Sequence, residues 1–530
     1  MLIATSVTFV MRELAARRVD LVDADTLTSR RTTSLGHGMR DRFKTVIVTT
    51  AVIGLMACGV DQDQPPRVAD RVFLNGVVYI ADEAQSMAEA VAVLDDQIIF
   101  VGTNANAADL IGEKTETHDL KGRFVLPGLH DTHMHPVMAI TVEECDLAGE
   151  AKSLEGLHQF VSDCLLRYPV SSNGWFAVQL WNFAEANQPS ERFQNIRQAL
   201  DAVSLEVPIL LIGNDGHHFA VNSAALAKAS NAEGLEVGLS AETMTTDFPH
   251  LSVYVGVDAQ GEPNGRVAEV YALEAMGINN IFAFGLDLKM ADPAKFYEVT
   301  LQHGITTALD AAVDLDTLEF YRTLAADEVK TRITLATFLE PGHYLDAAGD
   351  VDYASMLRVA QEVQASFEET PNVKADFLKL FVDGVLEGDP LANPPSLPNA
   401  AMSRDYLQPI FSFDEESLDI AVSGYVDVDG AVCREQSGGT SVDPDVFQSA
   451  HGFHPRQCET NAGTLQYDRD VIIGFVRAGD AAGFTVMMHA IGDKAVSTAL
   501  DAIEGTTGDR NHIVTHIQVV KPADQGRFAT

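Results

Sequence analysis

Beyond about residue 300, the chain alternates short apolar runs with segments of helical character. A continuous apolar run of about four to eight residues is typical of a strand that is buried on both faces. The runs are Gly304–Asp310, Thr331–Phe338, Phe377–Val382, Phe484–Met488 and Ile513–Thr515. Strands that alternate with helices in this way predict a parallel sheet built from βα units.

Residues 70–124 have a different pattern, with shorter strands and tight turns. Arg71–Ile80 reads as two strands around Asn75-Gly76, which is a strong hairpin signal. Ala90–Val101 repeats this design around Asp95-Asp96. Since no candidate catalytic side chain lies here, we predict a small structural β domain ahead of a larger domain over residues 125–530.

One short segment combines a strand with paired histidines. The apolar run Phe124–Leu126 is followed by Pro127-Gly128 and then by His133 and His135. Side chains two residues apart on an extended chain face the same way, so both imidazoles can reach one metal ion. Imidazole suits zinc and other first-row ions of similar character. Two histidines at this spacing also occur by chance, but the whole string, which includes Asp131, makes the metal interpretation specific.

Lys379 lies inside the apolar run Phe377–Val382, where both faces of the strand are expected to be buried. Lysine is almost never fully buried without a partner. Burial lowers the pKa of an amine, and the free amine can take up CO2 to form a carbamate with two oxygen donors. We therefore expect Lys379 to be a metal ligand. The alternative is a salt bridge to Asp383 or Glu387.

His489 and His516 each end one of the later apolar runs. Catalytic groups of parallel barrels gather at the C-terminal ends of the strands, and the other candidate ligands meet the same condition. The alternative for each is a buried histidine whose ring nitrogens are hydrogen-bonded within the core and bind no metal. Asp131 and Asp493 are expected to orient the ligands rather than to bind metal.

With these residues in place, the chain resembles the amidohydrolase superfamily, in particular the amidohydrolase family 3 branch related to N-substituted formamide deformylase. The resemblance covers roughly residue 70 to the last residue, and its stretches follow the order of the family. Besides the segment around His133, they are Asp215–Leu226, Gly261–Gly265 with Glu269, Leu378–Gly384, His489–Asp493 and His512–Gln518.

The resemblance implies an α/β fold, with a metal-dependent-hydrolase TIM barrel over residues 125–530 and a small N-terminal β-sandwich over 70–124. Insertions are expected at about 139–300 and 423–463. Counted against the family, the chain stops at Thr530, before the last two barrel strands and before the aspartate that relays a proton in relatives. We therefore expect a barrel that lacks its last two strands, with Asp383 or Glu269 as the first substitutes to test for the relay.

The resemblance also implies the residues of the site. One or two divalent metal ions, most simply zinc, would be held by His133, His135, Lys379, His489 and His516, with Lys379 carboxylated. His217 matches a family histidine in the region expected to cover the barrel mouth, and Trp181 lies near an aromatic position. Both are therefore candidates for substrate binding. Packing within that cover explains either side chain equally well.

The composition limits the kinds of partner that are expected. Asp and Glu number 76 against 36 Lys and Arg, which gives a formal net charge of −40. Phosphate would be repelled, so nucleic acid is not expected as a partner. Four cysteines beyond Cys58 are spaced as two local pairs, Cys145 with Cys164 and Cys433 with Cys458. Four buried free thiols are the alternative and are commoner in a cytosolic enzyme.

The N-terminus is typical of an exported bacterial lipoprotein. Met39–Lys44 is a short basic head, residues 45–57 are apolar but too short to span a membrane, and Leu55–Cys58 completes the signal. We expect residues 1–57 to be an upstream extension (1–38) plus a signal peptide, Cys58 to carry a lipid anchor, and 58–69 to be a linker. An ordinary buried helix is the alternative. The signal favours a lipid-anchored protein at the outer membrane or periplasmic side, and it favours disulfides.

These features predict an enzyme that hydrolyses a non-peptide carbon–nitrogen bond in a small amide-type molecule, by means of a metal-activated hydroxide. A dipeptidase or a cyclic-amide hydrolase is the alternative among enzymes. An inactive or fragmentary, lipid-anchored metal-binding protein is the alternative from another class, because the proton relay is missing. Metal content and turnover of N-substituted amides would separate these classes.

Overall fold

The computed structural model describes residues 68–183, 187–214, 216–252, 254–258, 260–281, 284–386, 397–414, 419–437 and 444–529. Cys58, the signal peptide, most of the linker and Glu387 lie outside these ranges. The chain divides into two units, one ending at Pro127 and the other running from Gly128 to the C-terminus. Each unit is described by itself below.

Within residues 68–127, the first unit holds two small sheets and a short α-helix, α1 (Asn104–Ala107). A four-stranded sheet has the order β5-β4-β1-β6, and a three-stranded sheet has the order β3-β2-β7. The strands are β1 (Arg71–Leu74), β2 (Val77–Tyr79), β3 (Met87–Ala88), β4 (Ala90–Leu94), β5 (Gln97–Gly102), β6 (Glu116–Asp119) and β7 (Phe124–Val125).

One of the two predicted hairpins is confirmed and the other is wrong. Strands β4 and β5 pair antiparallel across the turn at Asp95-Asp96, with Leu94 opposite Gln97. Asn75 does make a turn, with φ of 55°. Strands β1 and β2 nevertheless enter different sheets, because β1 takes β4 on one side and β6 on the other. With both edges of β1 occupied, no edge remains for β2.

The second unit contains the remaining strands and most of the helices. In chain order its strands are β8 (Leu129–Met134), β9 (Phe176–Trp181), β10 (Ile209–Gly213), β11 (His218–Val221), β12 (Val255–Val257), β13 (Pro263–Ala268), β14 (Ile305–Val313), β15 (Arg332–Phe338), β16 (Val373–Phe381), β17 (Pro409–Asp414), β18 (Asp419–Tyr425), β19 (Thr485–Ala490) and β20 (Ile513–His516).

The helices of this unit are α2 (Pro136–Ala139), α3 (Leu154–Arg167), α4 (Ile196–Asp201), α5 (Ser223–Leu226), α6 (Thr243–Thr246), α7 (Tyr271–Ala275), α8 (Leu286–Met290), α9 (Phe296–Val299), α10 (Leu315–Leu324), α11 (Tyr353–Ser366), α12 (Ala431–Ser437), α13 (Pro444–His451), α14 (Arg469–Ala481) and α15 (Asp493–Glu504). No described helix is long and apolar enough to cross a bilayer.

The main sheet has six strands in the order β20-β19-β16-β15-β14-β8. Every neighbouring pair is parallel, as the βα alternation predicts. In a flat sheet, five spacings of about 4.8 Å would separate the two edge strands by roughly 24 Å. The imidazole centroids of His133 on β8 and His516 on β20 lie only 4.8 Å apart. The sheet therefore curls into a half-barrel whose two edge strands approach each other.

The period of two along the strands decides which side chains face the interior of the half-barrel. Leu378 and Leu380 on β16 pack outward in the core that also holds residues of α11, α14 and α15. Lys379 lies between them and must point to the opposite face. On β19, Met488 and Ala490 pack in the same outer core, while Met487 contributes to a separate inner cluster. His489 follows the direction of Met487.

A second sheet, with the order β12-β13-β11-β10-β9, occupies the first predicted insertion. Strands β9 and β10 confirm the two strands expected there, and Asn222 caps α5 by accepting the backbone N–H of Ala225. The antiparallel pair β17 and β18 lies almost entirely ahead of the later predicted insertion, 423–463, whereas α12 and α13 lie within it. Both expected disulfides are confirmed, Cys145–Cys164 and Cys433–Cys458.

Candidate metal centre

Four imidazoles gather at the C-terminal ends of the parallel strands. His133 lies near the end of β8 and His135 directly follows it, while His489 belongs to β19 and His516 is the last residue of β20. Ring centroids are 5.8 Å apart for His133 and His135, 4.8 Å for His133 and His516, and 4.5 Å for His489 and His516. The half-barrel thus joins residues from both of its edges and from an interior strand.

Lys379 completes this group from β16. Its side chain is 1% exposed, and Nζ lies 4.7 Å from the centroid of the Phe381 ring. Burial lowers the pKa of Lys379 to about 8, while the charge of Asp310 acts in the opposite direction. Burial is the main cause that lowers the pKa values of His133 and His489, and the lysine charge acts in the same direction. Asp310, rather than Asp383, is therefore the carboxylate whose charge acts on Lys379.

The donor chemistry of these side chains fits a divalent ion. Burial lowers the pKa of His133 to about 3 and that of His489 to about 4, so both rings are neutral at pH 7 and offer a lone pair. In the described part of the chain, no three His, Cys, Asp or Glu side chains already form a group that could hold a metal ion. The imidazoles are therefore close neighbours rather than a finished coordination sphere.

His489 is oriented by a backbone oxygen and a carboxylate oxygen that lie near its Nε2 atom. Its Nε2 lies 2.9 Å from the carbonyl oxygen of Gly384 and 3.7 Å from Oδ1 of Asp383. A carbonyl can only accept, so Nε2 carries the proton and Nδ1 keeps the lone pair. The Asp383 carboxylate accepts backbone N–H groups of Ile491, Gly492 and Ala401 at 3.0, 2.8 and 2.9 Å. Burial raises the pKa of Asp383.

His135 has a carboxylate partner that the sequence reasoning missed. Its Nδ1 lies 3.4 Å from Oδ1 of Asp310, and this carboxylate also accepts the hydroxyl of Tyr321 at 2.7 Å. Asp310 closes one of the apolar runs, Gly304–Asp310, and a polar residue at the C-terminal end of a buried strand was the available signal.

The two aspartates expected to orient ligands make other contacts. Asp131 accepts the backbone N–H of His133 at 3.1 Å, and Asp493 accepts the backbone N–H of Ser403 at 2.6 Å. Asp131 thus shapes the backbone beside a candidate ligand, while Asp493 ties the start of α15 to a loop. The carboxylates that face imidazoles of the cluster are Asp310 and Asp383.

The two candidate substrate-binding residues are placed differently. His217 keeps 34% of its side chain exposed, and its Nδ1 lies 3.1 Å from Oε2 of Glu269. Trp181 is 1% exposed in the core of the second sheet, and its indole N–H donates to Asn187 at 3.1 Å. A side chain buried in this way offers no surface to a substrate, so the structure does not support Trp181 in that role.

The chain is similar to several known proteins. A family model described as "Amidohydrolase family" matches residues 116–248. The exoenzymes regulatory protein AepA of Pectobacterium carotovorum subsp. carotovorum is 24% identical over 87% of this chain and 83% of its own length. The N-substituted formamide deformylase of Arthrobacter pascens is 26% identical over 48% of this chain and 45% of its own length.

A solved structure supports the fold independently. It is an uncharacterized metal-dependent hydrolase from Pyrococcus horikoshii OT3, with a TM-score of 0.52 and 18% sequence identity. The match covers 86% of this chain and 72% of the other. At this identity the likeness speaks for the fold alone. Together, these matches confirm the resemblance that the motifs of the sequence indicate.

Proposed function

We propose that this chain is a metal-dependent hydrolase of the amidohydrolase family and that it cleaves a non-peptide carbon–nitrogen bond of a small amide-type substrate. The observation that supports the proposal is the gathering of four imidazoles and one buried amine at the same end of the half-barrel. The residues that would hold one or two divalent ions, most simply zinc, are His133, His135, Lys379, His489 and His516.

A bound divalent ion would polarise the substrate carbonyl and lower the pKa of water at the site. The contribution of the chain itself is to present lone pairs in fixed directions. The Gly384 carbonyl turns Nδ1 of His489 away from itself, and the Asp310 carboxylate does the same for Nε2 of His135. Carboxylation of the buried Lys379 amine would replace one nitrogen donor by two oxygen donors.

The proton that must reach the leaving nitrogen requires a separate group. Asp383 is poorly suited to carry it, because its side chain has no exposed surface and already accepts three backbone N–H groups. Glu269 remains the other candidate. It lies beside the partly exposed His217, and a carboxylate and an imidazole in contact can exchange a proton.

Metal analysis and turnover on purified protein would test the proposal. We expect zinc to co-purify, a chelator to abolish hydrolysis of N-substituted amides, and added zinc to restore it. His133→Gln should remove both metal and turnover. His130→Gln is the matched control, since His130 is an exposed histidine on the same strand. Hydrolysis that survives complete removal of metal would contradict the proposal.

The same assay would separate the alternatives. A substrate panel should include an N-substituted formamide, a dipeptide and a cyclic amide. Preference for the dipeptide or the cyclic amide would move the chain to those subclasses. One further candidate is a metal-binding protein without turnover. Zinc binding with no hydrolysis of any panel member would support that candidate.

We also propose that the protein is exported and anchored by a lipid on Cys58. The two disulfides support this, because disulfides persist in oxidising compartments. In a bacterial host, a palmitate analogue should label the wild-type chain and fail to label Cys58→Ser. Label that persists in the variant would contradict the proposal.

A further inference from the structure

Asp310 is a buried carboxylate next to the candidate metal ligands. It lies on β14, opposite Met134 of the neighbouring strand β8, and is 2% exposed. Its two oxygens have different neighbours. Oδ1 faces Nδ1 of His135 at 3.4 Å, and Oδ2 accepts the Tyr321 hydroxyl at 2.7 Å. The first distance is longer than a typical N–H···O bond, and the second is that of a good O–H···O bond.

Tyr321 is packed in the hydrophobic core. It belongs to α10, is 1% exposed, and packs its ring at centroid distances of 6.1 Å from Phe296 and 5.7 Å from Phe320. Burial and the neighbouring carboxylate raise the pKa of Tyr321 well above its ordinary value. The hydroxyl is therefore a permanent donor at neutral pH, and it occupies one side of the Asp310 carboxylate.

Two cationic side chains lie near Asp310. The amine of Lys379 interacts with it electrostatically. Lys289, which is 7% exposed, lines a cavity of about 20 Å³ together with Asp310 and His135. The Tyr321 hydroxyl donates to one oxygen of this group, and carboxylate oxygens accept hydrogen bonds. The geometry therefore points to a proton on the nitrogen of His135 that faces the other oxygen.

We infer that Tyr321 and Asp310 act as a positioning pair that holds His135 as the Nδ1–H tautomer, with the Nε2 lone pair directed away from Asp310. The hydroxyl fixes the carboxylate, and the carboxylate fixes the imidazole. In metal sites, such a carboxylate behind a histidine sets the tautomer and raises the basicity of the ligand nitrogen. The link to metal binding rests on the proposed function, whereas the tautomer does not.

Zinc affinity would measure the effect on metal binding. The variants are Asp310→Ala and Tyr321→Phe, and zinc affinity is obtained by competition with a chromophoric chelator. We expect Asp310→Ala to bind zinc about 10- to 100-fold more weakly, and Tyr321→Phe about three- to tenfold more weakly, since it loosens the carboxylate without removing it. Tyr353→Phe is the matched control, because the Tyr353 hydroxyl also donates to a protein oxygen, the Val471 carbonyl, at 3.1 Å.

The tautomer of His135 can be measured without metal. It would not change if Asp310 and Tyr321 served only to stabilise the fold. In zinc-free protein labelled with 15N-histidine, His135 is assigned by its loss in His135→Gln. We expect the Nδ1–H form in the wild type and in Tyr353→Phe, and a shift towards Nε2–H in Asp310→Ala. The double variant Asp310→Ala/Tyr321→Phe removes both polar groups, so no buried hydroxyl is left unpaired if the single variant folds poorly.

The two readouts separate the inference from the proposed function. A wild-type protein that binds no zinc would contradict the proposed function, while the tautomer would still decide the inference. An unchanged tautomer in both Asp310 variants would overturn the inference, whatever the zinc result. Equal weakening of zinc binding in Tyr321→Phe and Tyr353→Phe would also overturn it, because the loss would then reflect general stability.

Discussion

Replacing Lys379 by Met distinguishes a functional lysine from a structural one. Methionine keeps most of the length and apolar volume of the side chain and removes the amine. If Lys379 served mainly in a buried ion pair, breaking the pair should destabilise the protein by about 3–5 kcal/mol. If it is a buried amine kept for chemistry, its removal should stabilise the metal-free protein.

The pKa of Lys379 gives the magnitude and the sign of the expected change in stability. Burial moves it from 10.5 to about 8, and at 1.36 kcal/mol per pH unit this corresponds to about 3 kcal/mol. Below pH 8 the Lys379 amine is protonated in both the folded and the unfolded chain, so the folded chain is destabilised by the full free energy of burying the charge. Between pH 8 and 10.5 the unfolded chain binds more protons, so stability rises with pH. Lys379→Met should therefore be more stable at pH 7 by up to about 3 kcal/mol, with the advantage vanishing towards pH 10.5.

Urea unfolding of chelator-treated protein in CO2-free buffer, followed by tryptophan fluorescence, measures this difference at pH 7 and at pH 10. The same variant should lose zinc. Lys374→Met is the matched control, since Lys374 is an exposed lysine on the same strand, and it should leave both stability and zinc unchanged. A Lys379→Met protein that is less stable than the wild type at pH 7 would refute the reasoning and point to a favourable ion pair with Asp310.

Three further predictions concern other parts of the second unit. Asp383→Ala leaves three buried N–H groups without an acceptor and should lower the free energy of unfolding by about 3–5 kcal/mol; a loss below about 1 kcal/mol in urea would contradict the role given to this carboxylate. The pair Cys433→Ser/Cys458→Ser opens a loop with a sequence separation of 25 and should cost about 3.5 kcal/mol, so a reductant should destabilise the wild type more than this variant. Burial lowers the pKa of His454 from 6.5 to about 4, so the unfolded chain binds more protons below pH 6.5 and stability falls as the pH drops towards 4. His454→Gln should remove about 3 kcal/mol of this loss of stability, and a pH profile of unfolding that is unchanged in the variant would contradict the prediction.

Much of the candidate site could be predicted from the sequence alone. Residue type and strand period are local properties, and they sufficed to place His133, Lys379, His489 and His516 at the ends of parallel strands. The interior direction of Lys379 follows from the same period of two, because its neighbours Leu378 and Leu380 face the outer core. Cysteine spacing was equally local and indicated both disulfides.

Contacts between distant segments could only be decided by the tertiary structure. The carboxylates that face the imidazoles are Asp310 and Asp383, because strand order places β14 beside β8 and a loop brings Gly384 to His489. The burial of Trp181 in the core of the second sheet also depends on contacts between distant segments. Each of these outcomes depends on which strands pair and how strongly the sheet curves. Pairing and curvature arise from packing over the whole sheet, which the local pattern of apolar and polar residues does not contain.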